Sequence, residues 1–216
     1  MKVFYLNRFI HLIFLSILFF TLLIGFYAGT FFVLIVYSAS LYLFRRKRGV
    51  FKENPSLTEG VLYAPSNGKI IRIKPGSNHP NLGEGLTEIL VRLPWNAEYG
   101  IYLPFTSEVK DLLALKGRDF FRFSKLENTN IVDRAGVLIS LESQKGDEIG
   151  LQLLKCPTGL WPEIKVMPGD RGKRQANIGL LPFGGTLALY IPEKYEILVQ
   201  EGQEVVAGES LIAGQQ

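Results

Sequence analysis

The 216-residue sequence predicts a mostly-β (α+β) soluble domain behind an N-terminal transmembrane or re-entrant helical hairpin. Three observations lead there. Phe9 to Leu43 contains no Lys, Arg, Asp or Glu. From Gly60 onward, glycine and proline separate short runs rich in Val, Ile, Leu and Tyr, which is a strand signature. The charge is also divided: Lys2, Arg8, Arg45, Arg46, Lys47 and Arg48 are six cations with no acid in residues 1–50. Against a total of +4, that leaves residues 51–216 at a net −2.

The apolar segment comes first. A single helix over Phe9–Leu43 would measure roughly 50 Å, too long for one upright crossing of a ~30 Å hydrocarbon core. Gly25 and Gly29 fall mid-way, so two short helices are expected near 8–25 and 30–44, joined by a tight turn. Each is marginally short, so a hairpin that enters without crossing is an alternative. Basic residues flank both ends, which places both in the cytoplasm, the hairpin in the inner membrane and the soluble domain on its cytoplasmic side. The length of the run and the strong positive cluster after it argue against a cleaved signal peptide. Residues 1–48 form the hairpin unit and 49–59 a polar linker with one proline.

Residues 60–216 form the β domain. The expected strands are VLYAP, KIIRI, EILVRLP, GIYLP, AGVLISL, IGLQLL, TLALYIP, YEILVQ and SLIAG. Gly76–Gly85 reads as an exposed loop, and part of Lys110–Lys125 as a short helix.

Several function classes drop out. The domain's mild acidity disfavours nucleic acid, which selects a basic patch on the folded body. Two histidines and one cysteine, far apart, make no set with metal-ligand spacing. No glycine-rich turn is followed by Lys-Ser/Thr and a helix, so no nucleotide-phosphate loop is present. Cys156 cannot form an internal disulfide and reads as a small buried residue.

Five stretches, in order over about residues 45–213, resemble the phosphatidylserine decarboxylase family of short bacterial and archaeal type. They are Tyr63–Ile71 (YAPSNGKII), Pro94–Pro104 (PWNAEYGIYLP), Glu127–Asn130 (ENTN), the region from Gly169 to Pro192, and Glu201–Ala213. The resemblance implies a self-processing site at Phe183-Gly184-Gly185-Thr186, where the family carries Gly-Ser. There the serine hydroxyl attacks the preceding carbonyl, the chain breaks, and the serine becomes a pyruvoyl group, the electron sink for decarboxylation.

Here the serine position is Gly185, after Gly184, and glycine has no hydroxyl to attack with. The family's aspartate falls on Asn67. Its histidine falls on Tyr99, or on Glu98 if a one-residue insertion is placed differently. With all three altered, pyruvoyl chemistry is not expected and no cofactor is expected. Taken by themselves, Gly184 and Gly185 are a turn needing positive φ. Thr186 is a substitute nucleophile or simply a packed strand threonine. Lys165, Arg171, Lys173 and Arg174 are a lipid-phosphate site or a solvated turn.

The expected function is a membrane-anchored protein of this family, tied to phosphatidylethanolamine and phospholipid biosynthesis but lacking decarboxylase activity. Its partners are membrane phospholipid, a second copy, or an active decarboxylase homologue, and not nucleic acid. The alternatives are an active decarboxylase with a divergent processing site and a hammerhead-type carrier or lipid-binding module. The carrier reading rests on the closing segment and on Lys165-Val166-Met167.

Overall fold

The computed structural model describes residues 8–45, 60–118, 131–154 and 161–215. The chain forms two compact units, Met1–Val50 and Phe51–Gln216. The expected linker at 49–59, the Glu127–Asn130 stretch, Cys156 and the basic cluster at 46–48 lie outside the described residues.

The first unit is a helical hairpin of α1 (Arg8–Leu23) and α2 (Tyr27–Leu43). Gly25 adopts φ +71°, and the N–H groups of Gly25 and Phe26 donate to the carbonyls of Leu22 and Thr21. This is a Schellman turn, which needs a left-handed residue that only glycine supplies cheaply. Because Gly25 alone completes the turn, the second helix starts at Tyr27 rather than at residue 30, and Gly29 lies inside it. The helices meet through His11 Nδ1 and the Tyr37 hydroxyl at 2.9 Å, and through Thr30 Oγ1, which donates to Thr21 Oγ1 at 3.1 Å.

α2 has no buried residue, and Phe9, Phe19, Phe31 and Phe32 are all about two-thirds exposed. At 16 and 17 residues the helices span roughly 24–26 Å. Among the described residues, no helix is long and apolar enough to cross a membrane. The transmembrane form of the expected hairpin is therefore not supported.

The second unit is β-rich. Its eight-stranded antiparallel sheet runs β13 (Glu204–Val205), β2 (Gly68–His79), β3 (Gly83–Leu93), β11 (Gly185–Pro192), β7 (Glu148–Leu154), β6 (Gly136–Ser143), β5 (Ser107–Leu115), β9 (Arg171–Gly172). Two three-stranded sheets accompany it: β1 (Val61–Tyr63), β14 (Leu211–Gln215) and β12 (Tyr195–Ile197); and β4 (Gly100–Tyr102), β10 (Asn177–Leu180) and β8 (Glu163–Ile164).

β11 lies near the sheet's middle and is covered on both faces. Leu187, Leu189 and Ile191 enter the larger core with Ile89, Val91 and Leu151. Ala188 and Tyr190 enter a smaller cluster with Leu86, Leu90 and Ile131. A strand covered on both sides reads as an unbroken apolar run, and TLALYIP is one.

Two expectations are corrected. The segment 76–85 is no open loop: β2 extends to His79 and β3 begins at Gly83, so only three residues turn between them. Register shifts at Lys74/Ser77 and Ser77/His79 absorb Pro75 and Gly76, the residues that made the segment look irregular. Within Lys110–Lys125, Lys110–Leu115 is strand, because β5 pairs with β6 from Ser107 to Leu115, and residues 119–125 lie outside the described residues. Tertiary pairing overrides the helix preference of its Leu-Leu-Ala-Leu run.

The first correction also buries His79, which is 2% exposed with its ring centroid 4.8 Å from that of Tyr190. Burial pushes its pKa below the ordinary 6.5. Below about pH 6.5 the unfolded chain therefore binds a proton that the folded chain resists, and stability falls as pH falls. Asp147 titrates in a separate window. Burial opposes its ionisation, but hydrogen bonds from Lys194 and Tyr195 outweigh this and hold it below 3.8. Between about pH 7.5 and about pH 5 the melting temperature should drop, and His79→Gln should flatten the drop. Equal slopes in both proteins would rule out His79 as the source.

Candidate functional site

The turn at 182–185 is tightly constrained backbone. Phe183 (φ +60°), Gly184 (φ +75°) and Gly185 (φ +155°) are consecutive positive-φ residues. A Cβ on Gly184 would stand 2.6 Å from the Leu93 carbonyl oxygen and 3.0 Å from that of Pro94. Gly184 is thus required both by its φ and by its close approach to the end of β3. Gly185 differs: an added Cβ would meet Leu181 Cδ2 at 2.8 Å, the movable end of a side chain. Gly185 opens β11 opposite Leu93.

Asn67 is fixed by two contacts. Its Oδ1 accepts from the Ala207 N–H at 3.0 Å, and its Nδ2 donates to Glu98 Oε2 at 3.4 Å. The Tyr102 hydroxyl donates to Glu98 Oε1. Both oxygens of this buried carboxylate are therefore engaged, which makes Glu98 a structural acceptor. Tyr99 faces elsewhere: its hydroxyl donates to the Trp95 carbonyl, and its ring centroid is 6.1 Å from that of Phe183. So Asn67 is joined to Glu98, and Tyr99 supports the turn. From the sequence Glu98 is the alternative to Tyr99, taken if a one-residue insertion is placed differently.

Thr186 is 2% exposed, and its hydroxyl has no hydrogen-bond partner among the described residues. It lies opposite Arg92, which lies opposite Lys69, so these three residues form one row across β11, β3 and β2. Arg92 was not singled out from the sequence. Nothing in a lone strand arginine signals a site until the register is known.

The four basic residues before the turn do not converge. Lys165 Nζ donates to Asn177 Oδ1 at 3.4 Å, and Arg171 pairs with Glu108 at 2.6 Å. Arg174 lies over the Tyr63 ring at 4.2 Å. Lys173 and Arg171 border a cavity of about 530 Å³ with Glu108 and Glu142, and a second of about 410 Å³ lies beside Phe105, Lys145 and Tyr195. Neither is lined by Asn67, Glu98 or the glycine turn. Lys165 donates its own N–H to Ile178 within a strand ladder and does not stand at a hairpin tip, where a carrier lysine is displayed.

The family model for phosphatidylserine decarboxylase matches residues 124–213, which include the turn and β11. The chain is similar to the phosphatidylserine decarboxylases. The phosphatidylserine decarboxylase proenzyme of Geobacter metallireducens is 28% identical over 186 residues, covering 84% of this chain and 82% of that protein. That of Geobacter sulfurreducens is 26% identical, covering 86% and 82%, and that of Wolbachia pipientis wMel is 25% identical, covering 80% and 74%.

Proposed function

We propose that this chain is a membrane-anchored member of the phosphatidylserine decarboxylase family, serving phospholipid biosynthesis without pyruvoyl-dependent decarboxylation. The observation that carries the reading is the glycine at 185, which the resemblance sets against the family's serine and which has no side-chain oxygen to attack the Gly184 carbonyl. The surrounding chemistry supports it. A base must take the nucleophile's proton, and a third group must orient that base. Asn67 carries no charge, and the carboxylate beside it already accepts two hydrogen bonds. Its partners on this reading are membrane phospholipid and either a second copy or an intact decarboxylase homologue.

The anchor is a hairpin that enters the cytoplasmic leaflet of the inner membrane and returns. Helices apolar on all sides belong in hydrocarbon, and helices of this length fall short of a ~30 Å core. The flanking cations favour the anionic leaflet.

An active enzyme with Thr186 as nucleophile is the competing reading. It needs an acceptor for the threonine proton, and none lies within hydrogen-bond reach among the described residues. Intact mass of the detergent-solubilised chain separates the two. A single species of 24.3 kDa is expected. Gly185→Ser should also stay whole, because serine alone restores neither base nor orienting acid. Thr186→Val should leave both mass and stability nearly unchanged, since the hydroxyl has no partner to lose. Two fragments split near residue 184 in the native chain would overturn the proposal.

A further inference from the structure

The sequence has two tryptophans, and both lie at one rim of the β domain. Trp95 is 59% exposed, Trp161 46% and Phe183 41%. Their proximity follows from the ladders. Trp95 follows Pro94, whose carbonyl lies against Gly184, and the buried Tyr99 binds the Trp95 carbonyl while its ring sits beside Phe183. β8 pairs with β10 with Glu163 opposite Leu180, so Trp161 and Pro182, each two residues further on, leave that ladder at the same end. The positive-φ turn at 183–185 thus holds Phe183 outward instead of letting it join the core.

We propose that this Trp95–Phe183–Trp161 rim is the surface by which the β domain docks on a phospholipid bilayer, with the indoles in the interfacial zone. Large exposed aromatics grouped on one rim mark an interaction surface. A bilayer is the occupant that the chain's own chemistry selects. Residues 9–43 form a charge-free hairpin with many large apolar side chains exposed, which on the membrane reading above keeps the domain beside lipid.

Tryptophan has an apolar body and one N–H donor, the combination that favours the headgroup boundary. Cations accompany the rim. Arg92 and Lys69 lie in register one residue inside the turn and form no ion pair among the described residues, whereas Arg72 pairs with Glu88 at 2.5 Å. Glu204 is the other register neighbour of Lys69 and offsets part of its charge. Positive groups beside interfacial aromatics suit the phosphate layer. Docking there would bring headgroups to the altered turn.

The inference rests on the membrane reading above, and one experiment separates the two. The hairpin contains tyrosines but no tryptophan, so tryptophan emission, excited at wavelengths that tyrosine does not absorb, reports on the β domain alone. The full-length chain is reconstituted with vesicles of phosphatidylcholine and phosphatidylglycerol, floated on a density gradient, and measured with and without brominated acyl chains. Flotation with a blue-shifted emission that brominated lipid quenches is the expected result. Trp95→Ser and Trp161→Ser should each remove one of the two quenched emitters. Phe183→Asn, which tolerates the positive φ, should weaken quenching while the protein still floats. Flotation with unquenched tryptophans overturns the docking rim and leaves the anchor standing. A blue shift that follows protein concentration and not lipid assigns the rim to a second copy and overturns it as well. Failure to float removes both.

Discussion

Gly184→Ala is expected to lower the unfolding free energy by about 2–5 kcal/mol. Two effects add. A left-handed φ costs an L-residue roughly 1–2 kcal/mol. The new methyl also stands 2.6 Å from the Leu93 carbonyl oxygen and 3.0 Å from that of Pro94, and forced repacking of this kind typically costs about 1–3 kcal/mol. These neighbours are backbone at the end of β3, so they cannot swing aside as a side chain would. Gly202→Ala is the matched control: its φ is +88° but nothing lies within 4 Å. It should cost only the conformational part, about 1 kcal/mol. Urea midpoints of both variants in detergent, followed by near-ultraviolet circular dichroism, give the comparison. Equal losses would mean that the approach of Gly184 to β3 contributes nothing.

Leu189→Ala is expected to cost about 3 kcal/mol, within the range for a leucine truncated in a closed core. Leu189 is wholly buried and stands opposite Ile89 on β3 and Leu151 on β7. Both flanking strands are themselves paired on their far sides, so the sheet has little freedom to collapse into the space. The same urea titration reads it. A loss under about 1 kcal/mol would mean that the core around β11 repacks freely.

How much of this was legible in the sequence depends on what signal each part carried. The hairpin was legible because a 35-residue gap in charge has few other readings, and its turn was missed by a few residues because two glycines competed for one role. Gly25 takes the left-handed position, and Gly29 is an ordinary helical residue beside the Phe26 ring. The nine expected strands announce themselves through Val, Ile, Leu and Tyr.

β5 does not. Leu112, Leu113, Ala114 and Leu115 favour helix, and only the long-range partner β6 makes them strand. The two-residue strands β8, β9 and β13 have no pattern to read at that length. At the site, the resemblance picks out Gly185 and Asn67. It leaves Glu98 and Tyr99 as alternatives, because the choice rests on where a one-residue insertion falls. The row Lys69–Arg92–Thr186 is invisible in the sequence, since it is a property of register across three strands far apart in the chain.

The position of β11 has a consequence for the covalent chain. Residues after 184 supply the strand between β3 and β7, the edge strand β13, and two of the three strands of the β1–β14–β12 sheet. The last 32 residues are thus woven into two sheets through pairing with sequence from much earlier in the chain. The peptide bond joining 184 to 185 closes only a short loop between elements that are already fastened elsewhere. A break at that bond would leave both pieces joined through these strand pairings. The same architecture thus suits a processed chain and an unprocessed one.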